Sequence, residues 1–208
     1  MLRAIAFDSD NTLYSTKAAA KPADIAAMEA LSAATGKRTD KLYAEFAEIV
    51  KTVKDSPDPK VRHRLHSYGL LSGRYGKKVA NEMYEALSKK LMELITLVPG
   101  IEKVLETAEK MGLKMFVVTE DNRDMAIKKL STLGIAGYFE NIISSDDTGV
   151  MKPSKKYYEA LLKEFKPEEI LVVGDNLKKD LNIPDSLGMR TVLVEKPEDL
   201  AKIEEFIK

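Results

Sequence analysis

The chain has 208 residues, with 33 Lys+Arg balanced against 33 Asp+Glu and no Cys. That length suits one α/β domain carrying a second small lobe, and the balanced charge supplies no field that would draw the molecule to nucleic acid. The absence of cysteine excludes disulfides and thiolate metal sites.

Met1-Leu2-Arg3 opens directly onto a short apolar run ending at Phe7, with neither a secretory leader nor a membrane-length apolar stretch. A cytoplasmic location without a membrane partner is the expectation. The run Leu2–Phe7 is too short for a helix and reads as a buried strand. It stops at Asp8-Ser9-Asp10-Asn11-Thr12, where two carboxylates stand one residue apart. Asn11 tolerates a left-handed backbone, and the Thr12 hydroxyl can tie the loop to its own backbone. Such a pair can hold a hard cation, or one member can attack while the other moves protons.

From about Ala18 to Leu97 the apolar spacing is helical. Ile25, Met28, Leu31 and Ser32 share a face that Gly36 closes, and Thr39 or Asp40 caps the next helix, with its stripe Leu42, Phe46, Ile49, Val50 and Val53. Pro57 and Pro59 break that pattern, and a long helix is expected from Gly76 to Pro99-Gly100. The methionines of this block read as core. Between Lys60 and Lys78 lie six cations and no acid. Gly69, Gly73 and Gly76 there suggest a mobile connection between helices, and the stretch is a candidate for contact with an anionic substrate tail. His63 and His66 have no nearby carboxylate to complete a ligand set.

Beyond Pro99 strands and helices alternate. A helix over Ile101–Met111 leads to a strand at Lys114–Val118, and a helix over Arg123–Leu133 to a strand at Asn141–Ser144. A helix over Ser154–Phe165 precedes the strand Ile170–Gly174, and one near Leu177–Leu187 precedes Thr191–Val194. Pro197 opens a last helix. This alternation predicts an α/β fold with a doubly wound, mainly parallel sheet that the helical block interrupts.

Each strand end offers chemistry. Thr119 follows the second strand at a helix start that favours an anion. Lys152-Pro153 follows the third, and Gly174-Asp175-Asn176 ends the fourth with Asp180 beyond it. Asp121 and Asp175 have an ordinary alternative as helix caps. Taken together, an acid pair, a hydroxyl, a lysine and a second acid pair fall in order at successive ends of one sheet.

That ordered set, Asp8-x-Asp10-x-Thr12-Leu13, Thr119, Lys152-Pro153 and Gly174-Asp175 with Asp180, resembles the haloacid dehalogenase superfamily of phosphohydrolases over the whole chain. The resemblance implies a Rossmann-like core of residues 1–14 and 98–208, with an all-helical cap domain at 15–97 that sets substrate choice. It implies Asp8 as the nucleophile forming an aspartyl phosphate. Asp10 would be general acid and then base, also lending its backbone carbonyl to the metal. Thr119 and Lys152 would hold phosphate. Asp8, Asp10, Asp175 and Asp180 would form the Mg²⁺ site. Asp8, Asp175 and Asp180 set against Lys152 leave an excess of negative charge that a phosphate dianion could hardly enter without a divalent ion. Glu120 stands where relatives carry Asn or a small residue. It is expected to turn from phosphate or pair with a cation, or to meet a hydroxyl or amine as a substrate-binding residue. The run Asp10–Tyr14 looks like members acting on nucleotides and sugar phosphates. The expected activity is therefore a Mg²⁺-dependent phosphatase of a small phosphorylated metabolite. A phosphomutase and a non-catalytic phospho-ligand binding module are the alternatives.

Overall fold

A computed structural model describes residues 1–207. The chain divides into two compact units, one of Met1–Ser15 with Thr96–Lys208 and one of Thr16–Ile95.

The first unit is built on β1 (Ala4–Phe7), whose four residues are all fully buried. Ile5 and Phe7 face one side of the sheet and Ala4 and Ala6 the other, the period of two that a strand imposes. Strand β1 is shorter than the run Leu2–Phe7 suggests, yet its approach is fixed, because the Arg3 amide donates to the Glu169 carbonyl at 2.9 Å. A two-residue ribbon pairs Tyr14–Ser15 with Thr96–Leu97 where the chain leaves and re-enters this unit.

Four main helices make up the second unit: α1 (Ala20–Thr35), α2 (Thr39–Val53), α3 (Arg64–Arg74) and α4 (Ala80–Leu94). Gly36 ends α1 in the left-handed conformation at φ 68°. The residue before α2 is Arg38, with no side-chain cap, so neither Thr39 nor Asp40 fills that role. Gly69 and Gly73 lie within α3 and are not a loose connection; α4 begins at Ala80 and ends before Ile95. Inside the unit Asp24 is buried and accepts from Tyr68 Oη at 3.0 Å, with Arg64 at 3.3 Å. Burial raises the Asp24 carboxyl above its ordinary range, while Arg64 and the Tyr68 hydroxyl oppose that rise. Arg74 pairs with Glu45 at 3.7 Å, so Arg64 and Arg74 of the basic stretch are each matched by an acid within the unit. The His63 ring Nδ1 accepts from the Leu65 amide and caps α3.

After the ribbon the first unit resumes with α5 (Ile101–Lys110), β2 (Lys114–Val118), α6 (Arg123–Thr132), β3 (Asn141–Ile143), α7 (Glu159–Glu164), β4 (Ile170–Gly174), α8 (Asn182–Ser186), β5 (Arg190–Leu193) and α9 (Ala201–Ile207). All five strands run parallel in the order β3-β2-β1-β4-β5. One face packs Ile5, Phe7, Val117, Leu171 and Val173 against residues of α5, α6 and α9. The other packs Ala4, Ala6, Phe116 and Val172 against Tyr157, Tyr158, Leu161 and Phe165. Each such large apolar side chain contributes about 1.5–3 kcal/mol on burial. The chain order reverses beside β1, and in open α/β sheets the crevice past the strand ends at that point is where ligands bind. Among the described residues no helix is long and apolar enough to cross a membrane.

Candidate active site

Asp8 follows β1 directly, and its amide continues the ladder to the Val173 carbonyl at 2.8 Å. The chain then doubles back: the amides of Thr12 and Leu13 reach the Ser9 carbonyl, and Asn11 takes the left-handed conformation at φ 67°. This tight loop aims two carboxylates at the end of the sheet. Asp8 Oδ1 accepts from Lys152 Nζ at 2.7 Å and Oδ2 from Thr12 Oγ1 at 3.2 Å. The Thr12 hydroxyl thus serves a carboxylate, where the sequence suggests a bond to its own backbone. Burial pushes the Asp8 carboxyl up to about 7, with Asp180 and Asp10 adding to the rise and Lys152 opposing it.

Lys152 is buried, and its peptide bond to Pro153 is cis. Its ammonium has three N–H donors, and each has an acceptor: Asp8 Oδ1 at 2.7 Å, the Val118 carbonyl at 2.8 Å and Asp180 Oδ1 at 2.9 Å. Burial alone would lower its pKa, but Asp8 and Asp180 override that and hold it well above the ordinary lysine value. Lys152 is therefore a fixed positive charge at the centre of the site.

Asp180 reaches Lys152 because the segment after β4 is a single π turn, Leu177–Leu181, followed by α8, in place of the continuous helix that the sequence suggests. Asn176 caps this turn, its side chain accepting from the amides of Lys178 and Lys179. The Asn176 amide in turn donates to Asp180 Oδ2 at 3.0 Å. Capping thus falls to Asn176, and likewise to Asn122 at α6, and not to Asp175 or Asp121. Gly174 makes this fold-back sterically feasible. A Cβ placed there would lie 2.5 Å from the Asp180 Cβ. Gly174→Ala is expected to cost about 1–3 kcal/mol through overpacking and to displace the Asp180 carboxylate. A lowered urea midpoint together with weakened divalent-cation binding checks this; an unchanged midpoint would refute it.

Thr119 follows β2 and is buried. Its Oγ1 accepts from Ser9 Oγ at 2.8 Å and from the Asp121 amide at 3.1 Å. With its oxygen so engaged, the hydroxyl proton remains to donate toward the pocket that Thr119 lines. Glu120 takes the cation-paired arrangement: Oε2 meets Lys179 Nζ at 2.7 Å, and Oε1 accepts from the Lys152 amide at 3.2 Å. Asp10 Oδ1 accepts from Lys129 Nζ at 2.8 Å, and the same ammonium reaches Asp121 Oδ2 at 2.6 Å. Burial would lower the Lys129 pKa; Asp121 and Asp10 hold it well above the ordinary value instead.

Asp8, Asp10, Thr119, Glu120, Lys152, Asp175 and Asp180 thus line one pocket of about 250 Å³, which Asn11, Asn176 and Lys179 complete. Oxygens of Asp8, Asp175 and Asp180 lie within 4.8 Å of one another. This donor set fits Mg²⁺: three hard carboxylates, carrying three negative charges when ionised against the one positive charge of Lys152, leave a deficit that a divalent ion balances. Sequence reading does not reach Ser9, Lys129, Asp121 or Lys179. Lys129 left a trace, being a cation on the apolar stripe Met125, Ala126 and Leu130 of α6. The contacts of Ser9 with Thr119 and of Lys179 with Glu120 join residues far apart in sequence, which no local spacing encodes.

Residues 2–182 match the model of the haloacid dehalogenase-like hydrolase family. The chain is 29% identical over 199 residues to a glyceraldehyde 3-phosphate phosphatase of Methanocaldococcus jannaschii, covering 94% of this chain and 86% of that protein. It is 31% identical over 206 residues to a glyceraldehyde 3-phosphate phosphatase of Methanopyrus kandleri, covering 94% and 85%. The crystal structure of a HAD phosphatase from Thermococcus onnurineus superposes with a TM-score of 0.78 over 98% of both chains at 23% identity. With a parallel five-stranded sheet bearing this acidic pocket at its switch point, and a family match that spans most of its length, the chain belongs to the haloacid dehalogenase-like hydrolases.

Proposed function

We propose that this hydrolase is a Mg²⁺-dependent phosphatase that cleaves small phosphomonoesters through an aspartyl phosphate on Asp8. The observation that carries the reading is the placement of the Asp8 carboxylate. It is fixed between Lys152 Nζ and Thr12 Oγ1 in a polar pocket that also contains the Thr119 hydroxyl and the Asp10 carboxylate. Phosphoryl transfer asks chiefly for an in-line nucleophile and fixed charge around the equatorial oxygens.

In this reading an Asp8 carboxylate oxygen forms the new bond to phosphorus as the bond to the ester oxygen breaks. The Asp10 carboxyl gives its proton to the departing oxygen. It then takes one from the water that cleaves the phosphorus–Asp8 bond, releasing inorganic phosphate and restoring both side chains. The Thr119 hydroxyl donates to a phosphoryl oxygen, while Lys152 contributes its charge from its three-acceptor socket. Asp8, Asp175 and Asp180, with the Asp10 carbonyl, would hold Mg²⁺, which would supply positive charge against these carboxylates and the phosphate. Each pair of like charges about 4 Å apart otherwise costs about 4 kcal/mol at an effective dielectric near 20. The helical unit is read as the cap that sets substrate choice.

The relatives named for glyceraldehyde 3-phosphate make short phosphorylated aldehydes and sugars the first compounds to assay. Phosphate release from p-nitrophenyl phosphate and from such a panel is expected with Mg²⁺, and excess EDTA should abolish it until Mg²⁺ is restored. Undiminished release in EDTA would overturn the metal assignment. No release from any compound with Mg²⁺ present would overturn the phosphatase reading.

A further inference from the structure

The contacts of Lys129 go beyond those of an ordinary helix lysine. Its side chain is 5% exposed, although it projects from α6 and no apolar role suits its charge. The ammonium is held from three directions. Asp10 Oδ1 stands at 2.8 Å, Asp121 Oδ2 at 2.6 Å, and the Tyr14 ring centroid at 5.3 Å. Asp121 is itself secured, because its carbonyl accepts from the Ser145 amide at 3.2 Å and from Ser145 Oγ at 3.1 Å. A cation facing two carboxylates and an aromatic face has little rotational freedom left.

Asp10 differs from Asp8 in how it is held. Asp8 has Lys152 and Thr12 on its two oxygens, whereas Asp10 sits in the loop turn with a side chain 35% exposed at the pocket. A half-exposed carboxyl on a loop would sample several rotamers, and proton transfer requires it within hydrogen-bond reach of the reacting oxygen. The contact to α6 therefore ties the direction of this loop carboxyl to a helix.

We propose that Lys129, locked by Asp121 and the Tyr14 ring, is a positioning residue that aims the Asp10 carboxyl at the leaving-group oxygen and then at the attacking water. This rests on the phosphatase reading above and adds a residue to it. Lys129 lies outside the set of residues that line the pocket, and its route to the reaction is through Asp10. The competing explanation is a purely structural clamp between α6 and the loop after β1, which would lower stability without acting through Asp10.

A double-mutant cycle separates the two. With p-nitrophenyl phosphate and Mg²⁺, Lys129→Met is expected to lower kcat by about 10²-fold with KM little changed, the scale set by a small misplacement of a reacting group. Lys129→Arg, which can still bridge both carboxylates, should recover much of that loss. In an Asp10→Asn background, Lys129→Met should cause no further loss, because the group it positions no longer transfers protons. An equal loss in both backgrounds, or a Lys129→Met enzyme with wild-type kcat, would overturn the proposal. Should Lys129→Met fail to fold, Asp121→Asn in the same cycle decides, coupling supporting and additivity refuting. Wild-type turnover that Asp8→Asn abolishes tests the phosphatase reading separately, so the two failures are distinguishable.

Discussion

Asp8→Asn is expected to lower phosphate release by about 10⁴-fold or more, the scale seen when a nucleophile is removed from a site that otherwise survives. The amide keeps the shape of the carboxylate: its oxygen can still accept from Lys152 Nζ, while its nitrogen, standing where Oδ2 was, can donate to Thr12 Oγ1. What it lacks is a charged oxygen able to form a bond to phosphorus. The fold should persist, because β1 and its ladder to β4 do not depend on that charge. Substrate affinity should persist as well, since one negative charge facing the phosphate has been removed while Lys152 and Thr119 remain. Binding retained with turnover lost is thus the signature. Comparable turnover in the variant would mean that another group attacks.

Lys152→Met is the second large effect, and here stability and activity fall together. The ammonium is buried between Asp8 and Asp180, so its removal leaves two carboxylates facing each other with no cation between them. Breaking a buried pair by deleting one partner typically costs about 3–5 kcal/mol. The carbonyl of Val118 also loses its donor. The variant should therefore unfold at a markedly lower urea concentration than the wild type. Adding Asp180→Asn should return part of the stability by removing one of the two facing charges, and should return none of the activity. Added Mg²⁺ should stabilise the single variant more steeply than the wild type, because the ion takes over the missing charge balance. A Lys152→Met protein as stable as the wild type would show that the charges are relieved elsewhere.

The strands Lys114–Val118 and Ile170–Gly174 were legible in the sequence to the residue, because each is a short β-rich run bounded by Gly112 or Pro167 and by polar residues beyond. The helices Ile101–Lys110 and Arg123–Thr132 were legible within a residue for the same reason of periodicity. The ribbon of Tyr14–Ser15 with Thr96–Leu97 was not, since two-residue strands carry no period. Nor was the π turn at Leu177–Leu181, where the fold-back of Asp180 onto Gly174 and Lys152 outweighs local helical preference. In the pocket, residues at strand ends could be read because topology gathers them there. Their supports could not: Ser9 under Thr119, Lys129 on Asp10 and Lys179 on Glu120 exist only once distant segments meet.

In the proposed mechanism the side chain at the end of the first strand becomes the phosphoryl carrier. Rapid acid quench during turnover, followed by reduction of the labile acyl phosphate with borohydride and peptide mass spectrometry, tests it directly. Asp8 is expected as homoserine in wild-type protein treated with substrate and Mg²⁺, with no homoserine in the Asp8→Asn protein. A modified residue elsewhere in the chain, or an unmodified Asp8 trapped under steady turnover, would contradict it.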